Sequence, residues 1–207
     1  MGEAMIRVER DGDLVTVVLD RAEKANALTG AMLVALDKAV QEATLTAAKA
    51  IILTGAGKVF SAGADLDQMA RGLGDVPEWE VLSSRIAHAP CLTIAALNGT
   101  LAGGAFGMAL ACDLRLCVPE AEFFYPVMQR GYRPQPSDPK RLAALVGPAR
   151  AKEIILCGTR IGADEALRWG LVNRITPRES LLDDAKAMAV AVLGATVQHG
   201  QALKAMF

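Results

Sequence analysis

A chain of 207 residues that is 52% hydrophobic and 22% charged can bury a core of its own, which excludes a disordered chain. Its formal net charge of −1 lacks the basic excess of a nucleic-acid binder. No apolar stretch approaches the length needed to span a bilayer, so neither nucleic acid nor membrane is expected as a partner, and the cytoplasm is the expected location.

The first five residues, Met1-Gly2-Glu3-Ala4-Met5, are acidic and lack the apolar run of a secretory leader. Met5–Glu9 and Leu14–Leu19 read as strands joined at Asp11-Gly12, a favoured hairpin turn. After a polar loop, Asp20–Asn26, Thr29 is placed to cap an amphipathic helix reaching about Ala47, with Met32, Leu33, Leu36 and Val40 on one face. Ala50–Leu53 reads as a buried strand, and a short helix is expected from about Asp65. Arg71–Pro77 is broken up by glycine and proline. Trp79–His88 reads as a helix, and Cys91–Leu97 as another buried strand.

A glycine-rich turn, Asn98–Gly104, then opens onto an apolar helix, Ala105–Ala111. Short strands are expected at Leu114–Val118 and Glu122–Tyr125, and Gly131–Pro139 reads as a loop with three prolines. Helices follow at Lys140–Leu145, Pro148–Cys157, Ala163–Trp169, Leu181–Leu193 and Gln201–Met206. With no long linker and no obvious repeat, 1–207 reads as one α/β domain. The four cysteines, Cys91, Cys112, Cys117 and Cys157, show no C-x-x-C spacing and read as reduced core residues. The two histidines, His88 and His199, stand in no recognisable catalytic context.

Two loops carry the chemistry: Phe60-Ser61-Ala62-Gly63-Ala64-Asp65-Leu66, and Asn98 through Gly107 around Gly103-Gly104. Each leads into a helix, whose first N–H groups have no partner inside the helix and sit at the positive end of its dipole. Small residues let a ligand approach that backbone closely. Two such loops facing each other would direct two N–H donors at one oxygen, an oxyanion hole. Either loop alone is equally compatible with tight packing, and Ser61 reads as a loop hydroxyl rather than a nucleophile.

Arg21-Ala22-Glu23-Lys24-Ala25-Asn26-Ala27-Leu28 is similar to the R-P-E-K-x-N-A-L block of the crotonase (enoyl-CoA hydratase/isomerase) superfamily. Leu53 through Leu66 resembles that family's L-T-G-x-G-x-x-F-S-A-G-A-D-L block, and Pro90–Asp113 its glycine-rich block. The likeness continues through Gly147–Cys157, Ala163–Asn173 and Ala189–Lys204. The resemblance implies a crotonase-like spiral of ββα units followed by C-terminal helices, an acyl-CoA thioester as partner, and a homotrimer or hexamer. It implies no cofactor beyond the CoA of the substrate, and no metal.

Carried over by position, the resemblance implies that the Ala64 and Gly104 N–H groups form the oxyanion hole. Lys24, Ala25 and Ala27 would contact the CoA nucleotide; Ala62, Asp65 and Leu66 would border the adenine and pantetheine; Gly103 and Pro126 would complete the substrate site. The two hydratase carboxylates fall at Gly107 and Val127, which cannot move protons. The resemblance therefore implies little hydration, and leaves isomerisation, decarboxylation, thioester cleavage or non-catalytic acyl-CoA binding. Candidate substitutes are Gln135, which can hydrogen-bond but not act as a base, and Asp138 and Tyr132, with Arg133 in the same loop. Asp138, Tyr132 and Arg133 read first as loop surface residues, and Glu78 and Glu80 are weaker candidates. The resemblance also implies a shortened C-terminal helical region, about 140–207, where most members continue into further helices.

Overall fold

The computed structural model describes residues 5–207, so Met1–Ala4, where no leader is expected, lie outside the described residues. One sheet runs in the order β1 (Ile6–Asp11), β2 (Leu14–Leu19), β3 (Ala50–Gly55), β4 (Leu92–Leu97), β6 (Leu114–Cys117) and β9 (Arg174–Ile175). β1 pairs antiparallel with β2, and every later pairing is parallel. β2 is buried at every position, and β3 and β4 at all but one, as parallel strands covered on both faces require. β1 is one of the two edge strands, and its Arg7, Glu9 and Arg10 keep that edge charged and solvated. A second sheet is built from β5 (Leu101–Ala102), β7 (Glu122–Phe124) and β8 (Ile161–Gly162).

Helix α1 (Gly30–Leu45) starts where expected, with the Thr29 hydroxyl accepting from the Met32 N–H at 3.2 Å. Its buried stripe, Met32, Leu33, Leu36, Ala39, Val40 and Ala43, has helical spacing and lies over β1 and β2. α2 (Leu66–Met69) is capped by the Asp65 side chain. α3 (Glu78–Ala87) packs against α1 and against α4 (Phe106–Ala111), so it closes over the helix that follows the glycine-rich turn.

The remaining helices are α5 (Val127–Arg130), α6 (Asp138–Val146), α7 (Pro148–Leu156), α8 (Ala163–Trp169), α9 (Leu181–Gly194) and α10 (Val197–Lys204). α9 covers β3, β4 and β6, and Lys204 fastens α10 to the sheet through the Cys91 carbonyl and the Asp113 carboxylate, each at 2.7 Å.

Two expectations change. The segment read as a loop over Gly131–Pro139 gives up its last two residues to α6, because Pro139 at the second helical position lacks an N–H that would be unpaired there anyway. Three of the four cysteines are buried, but Cys157 is exposed where it caps α7.

Candidate functional site

The site begins with three loops stitched together by buried polar groups. Asn26 is fully buried; its side chain accepts from the Arg21 N–H and donates to the Ala56 and Val59 carbonyls at 2.9 and 2.8 Å. Asn98 does the same from the other side, accepting from the Gly55 N–H and donating to Gly57 and Val59. The Ser61 hydroxyl donates to the Asn26 carbonyl at 2.8 Å and accepts from the Gly63 N–H, which makes it a buried staple. Leu28 bridges to Ala64, with the Leu28 N–H donating to Gly63 and the Asp65 N–H to Leu28.

A second bridge, Ser61 to Leu101, sets the glycine-rich turn beside this loop. The two segments meet at Gly63 and Gly103, both at positive φ (92° and 54°). A Cβ on Gly63 would stand 2.8 Å from the Ala102 carbonyl oxygen and 3.3 Å from the Gly103 Cα, so only glycine permits the approach. The next residue of each segment, Ala64 and Gly104, borders the same cavity. Among the described residues neither of their N–H groups has an acceptor within the protein.

That cavity has a volume of about 1170 Å³, ample for an extended organic ligand. It gathers Lys24, Ala27, Ala62, Ala64, Asp65, Leu66, Gly103, Gly104, Pro126, Val127, Tyr132 and Gln135 from the residues singled out in the sequence. Ala25 stays off the wall and instead holds it, since its carbonyl accepts from the Ala62 N–H at 2.9 Å. Asp65 has its carboxylate engaged by Arg21 at 2.8 Å and by the Gln68 N–H. The Arg21 bond leads the causes that keep its pKa below the usual carboxylate value. Gln135 donates to the Gly74 carbonyl at 3.3 Å, and Tyr132 is exposed at the rim.

Gly107 is buried inside α4, and Val127 lines the cavity as the first residue of α5, so neither position brings a carboxylate. Asp138 corrects the sequence reading most. Read as a loop surface residue, it opens α6 with 0% exposure. The Tyr125 hydroxyl donates to its Oδ2 at 2.7 Å, while its Oδ1 is buried with no hydrogen-bond partner. Burial, helped by the nearby Glu80 charge, pushes its carboxyl up to about 7 against the Tyr125 bond and Arg141. Burial and then Asp138 raise the Tyr125 phenol well above its ordinary value.

Sequence reasoning did not find Tyr125 or Trp79, which both line the cavity. The Trp79 indole lies over Gly104, 3.1 Å from where a Cβ would sit, and its Nε1 donates to the Leu73 carbonyl. Only the adjacent Pro126 marked Tyr125, and nothing local marked Trp79. Glu80 also borders the cavity, whereas His88 caps α3 and His199 belongs to α10, both away from it. Among the described residues no cluster of metal-ligating side chains forms, and no helix is long and apolar enough to cross a membrane.

A sequence model of the family described as enoyl-CoA hydratase/isomerase matches residues 9–207. A probable enoyl-CoA hydratase of Mycobacterium leprae is 35% identical, over 95% of this chain and 81% of that protein. A carnitinyl-CoA dehydratase of Salmonella enteritidis is 34% identical, over 98% of this chain and 79% of its own length. Among solved structures, an enoyl-CoA hydratase from Bacillus anthracis superposes with a TM-score of 0.91 at 31% identity, over 97% of this chain and 81% of that one.

Proposed function

Because the chain belongs to the enoyl-CoA hydratase/isomerase family of enzymes and has its crotonase-type α/β fold, we propose that it binds an acyl-CoA thioester and stabilises the enolate formed from it. The observation that carries this is the pair of acceptor-free N–H groups, Ala64 and Gly104, each one residue beyond the Gly63–Gly103 contact and both on a single cavity. The thioester oxygen gains negative charge as a proton leaves the adjacent carbon. Donors already fixed in place meet that charge without reorganising, and each well-aimed one contributes roughly 3–4 kcal/mol. The Trp79 ring against Gly104 adds an apolar surface to this part of the cavity, and hydrogen bonds are stronger where water is excluded.

The CoA would run from this point past Ala62 and Leu66, with the Lys24 ammonium at the cavity edge for a phosphate. Hydration needs two carboxylates sharing one water. With Gly107 and Val127 at the expected positions, the chemistry supported best uses one acid–base group: isomerisation or another reaction through the enolate. Assembly into a trimer or hexamer belongs to the same proposal, with light scattering as its test.

The decisive comparison is calorimetric binding of butyryl-CoA against its thioether analogue, which has the same chain but no carbonyl. The thioester is expected to bind at least about tenfold more tightly, the equivalent of one modest hydrogen bond. Equal affinities would remove the carbonyl from Ala64 and Gly104 and sink the proposal.

A further inference from the structure

We propose that Tyr125 and Asp138 together form the acid–base group of this site, with the carboxyl delivered from the start of α6 into the space left by Gly107. This rests on the acyl-CoA reading above and adds the residues that move the proton.

The geometry is specific. A Cβ built on Gly107 would lie 3.0 Å from Asp138 Oδ1, so the Asp138 carboxyl stands where a side chain at 107 would begin. The large majority of buried side-chain oxygens have a hydrogen-bond partner. Here Oδ1 is buried without a partner. Arg141, on the same helix, directs its guanidinium to the Ser83 and Ser137 hydroxyls at 2.7 and 2.8 Å. The second carboxyl oxygen takes the Tyr125 hydroxyl, and Tyr125, unlike Asp138, lines the cavity. Its ring is stacked on Phe106, with centroids 5.3 Å apart, so the phenol is held in place.

Tyr125 is the catalytic residue and Asp138 the positioning residue behind it, one hydrogen bond from the cavity. As the Tyr125 oxygen takes the proton from the carbon next to the thioester, its own proton passes to Asp138 Oδ2. The electron pair of the broken C–H bond becomes the enolate double bond, and the charge settles on the thioester oxygen. Return of the proton along the same path completes the exchange, with nothing oxidised or reduced.

The charged and titratable groups facing this pair are Glu80 from α3 and Arg141 from α6. α4 contributes none, and the charged residues of α7 (Arg150, Lys152 and Glu153) are exposed. With its carboxyl near 7, Asp138 is populated in both ionisation states at neutral pH, as a proton carrier should be.

The test is deuterium uptake at the α-carbon of butyryl-CoA in D2O, followed by mass spectrometry, with calorimetric affinity for the same thioester. The wild-type protein is expected to exchange that proton at a rate that rises with pH through about 7. Asp138→Asn should slow exchange by about 10²–10⁴-fold and abolish the rise while leaving affinity unchanged. Tyr125→Phe, which keeps the stacked ring, should slow it equally and carries the test if Asp138→Asn fails to fold. Glu80→Gln should move the midpoint of the rise to lower pH. Exchange that survives both substitutions with its pH profile intact overturns the inference, as does abolition by Glu80→Gln alone. Tight binding without exchange by the wild-type protein overturns it too, and leaves the acyl-CoA reading standing. Failure to bind the thioester at all would instead defeat that reading.

Discussion

The cavity has two walls made in different ways. One is backbone: Ala64 and Gly104 border the cavity from two loops joined by two β-bridges and by the contact of Gly63 with Gly103. The other is side chain: Tyr125, Val127 and, behind them, Asp138, brought together from a strand end and two helices. The backbone wall depends on what is small, and any added atom disturbs it. The side-chain wall depends on one carboxyl, which can come from any backbone position that reaches the same space. A proton-transfer group could thus come from another point of the chain while the proposed oxyanion donors keep their loops.

Asp138→Asn should have the largest effect on stability, and a favourable one. The folded carboxyl sits at about 7 against 3.8 for the ordinary group. Its stability contribution is therefore complete below about 4 and lost as pH rises through about 7, a fall of up to roughly 4 kcal/mol. Urea unfolding at stepped pH should show this decline in the wild-type protein and not in the variant, which becomes the more stable of the two above pH 7. Identical curves would mean that the carboxyl is ionised and satisfied. Gain in stability with loss of proton transfer would mark the side-chain wall as one held against its own folding preference.

Gly63→Ala should break the backbone wall instead. The added carbon meets the Ala102 carbonyl at 2.8 Å at a φ of 92°, so the two loops must part. Losing one aligned donor predicts a drop of about 10²–10³-fold in α-proton exchange. Unlike Asp138→Asn, this variant should lose affinity for the thioester and melt at lower temperature. A variant that binds as well as wild type would show that the loop contact does not set the donors.

Gly107→Ala joins the two regions with a smaller effect. Its methyl group would press on Asp138 Oδ1 at 3.0 Å, an overpacking worth about 1–3 kcal/mol in denaturant melts. Adding Asp138→Gly should remove most of that penalty. Strict additivity in the double-mutant cycle would mean that the two positions do not share the space.

How much of this was legible in the sequence follows the same division. β2 and α8 span the residues expected, α1 has its Thr29 cap, and the two small-residue loops come together as their sequence suggested. All of these rest on local signals: strings of apolar residues, a capping hydroxyl, glycines where chains touch. The strands β5, β8 and β9, two residues each, are too short to show any periodicity. Asp138 is among the candidates in the sequence, but its burial is not legible there, for a different reason. Among three prolines it looked like surface, and its burial follows from the packing of α6 on α4, a contact that Gly107 makes possible. In the sequence Gly107 reads as a missing carboxylate, whereas in space it makes room for another.

Whether the Ala64 and Gly104 N–H groups hold a thioester oxygen can be read from the infrared spectrum of the bound carbonyl. With butyryl-CoA carrying carbon-13 at the thioester carbon, the isotope difference spectrum isolates that one C=O stretch. Two converging donors polarise the bond, so the stretch should move to lower frequency on binding to the wild-type protein. It should return toward the free value in Gly63→Ala at saturating ligand, and stay shifted in Asp138→Asn, where the backbone wall is intact. A wild-type complex whose carbonyl absorbs at the frequency of free butyryl-CoA would contradict the account.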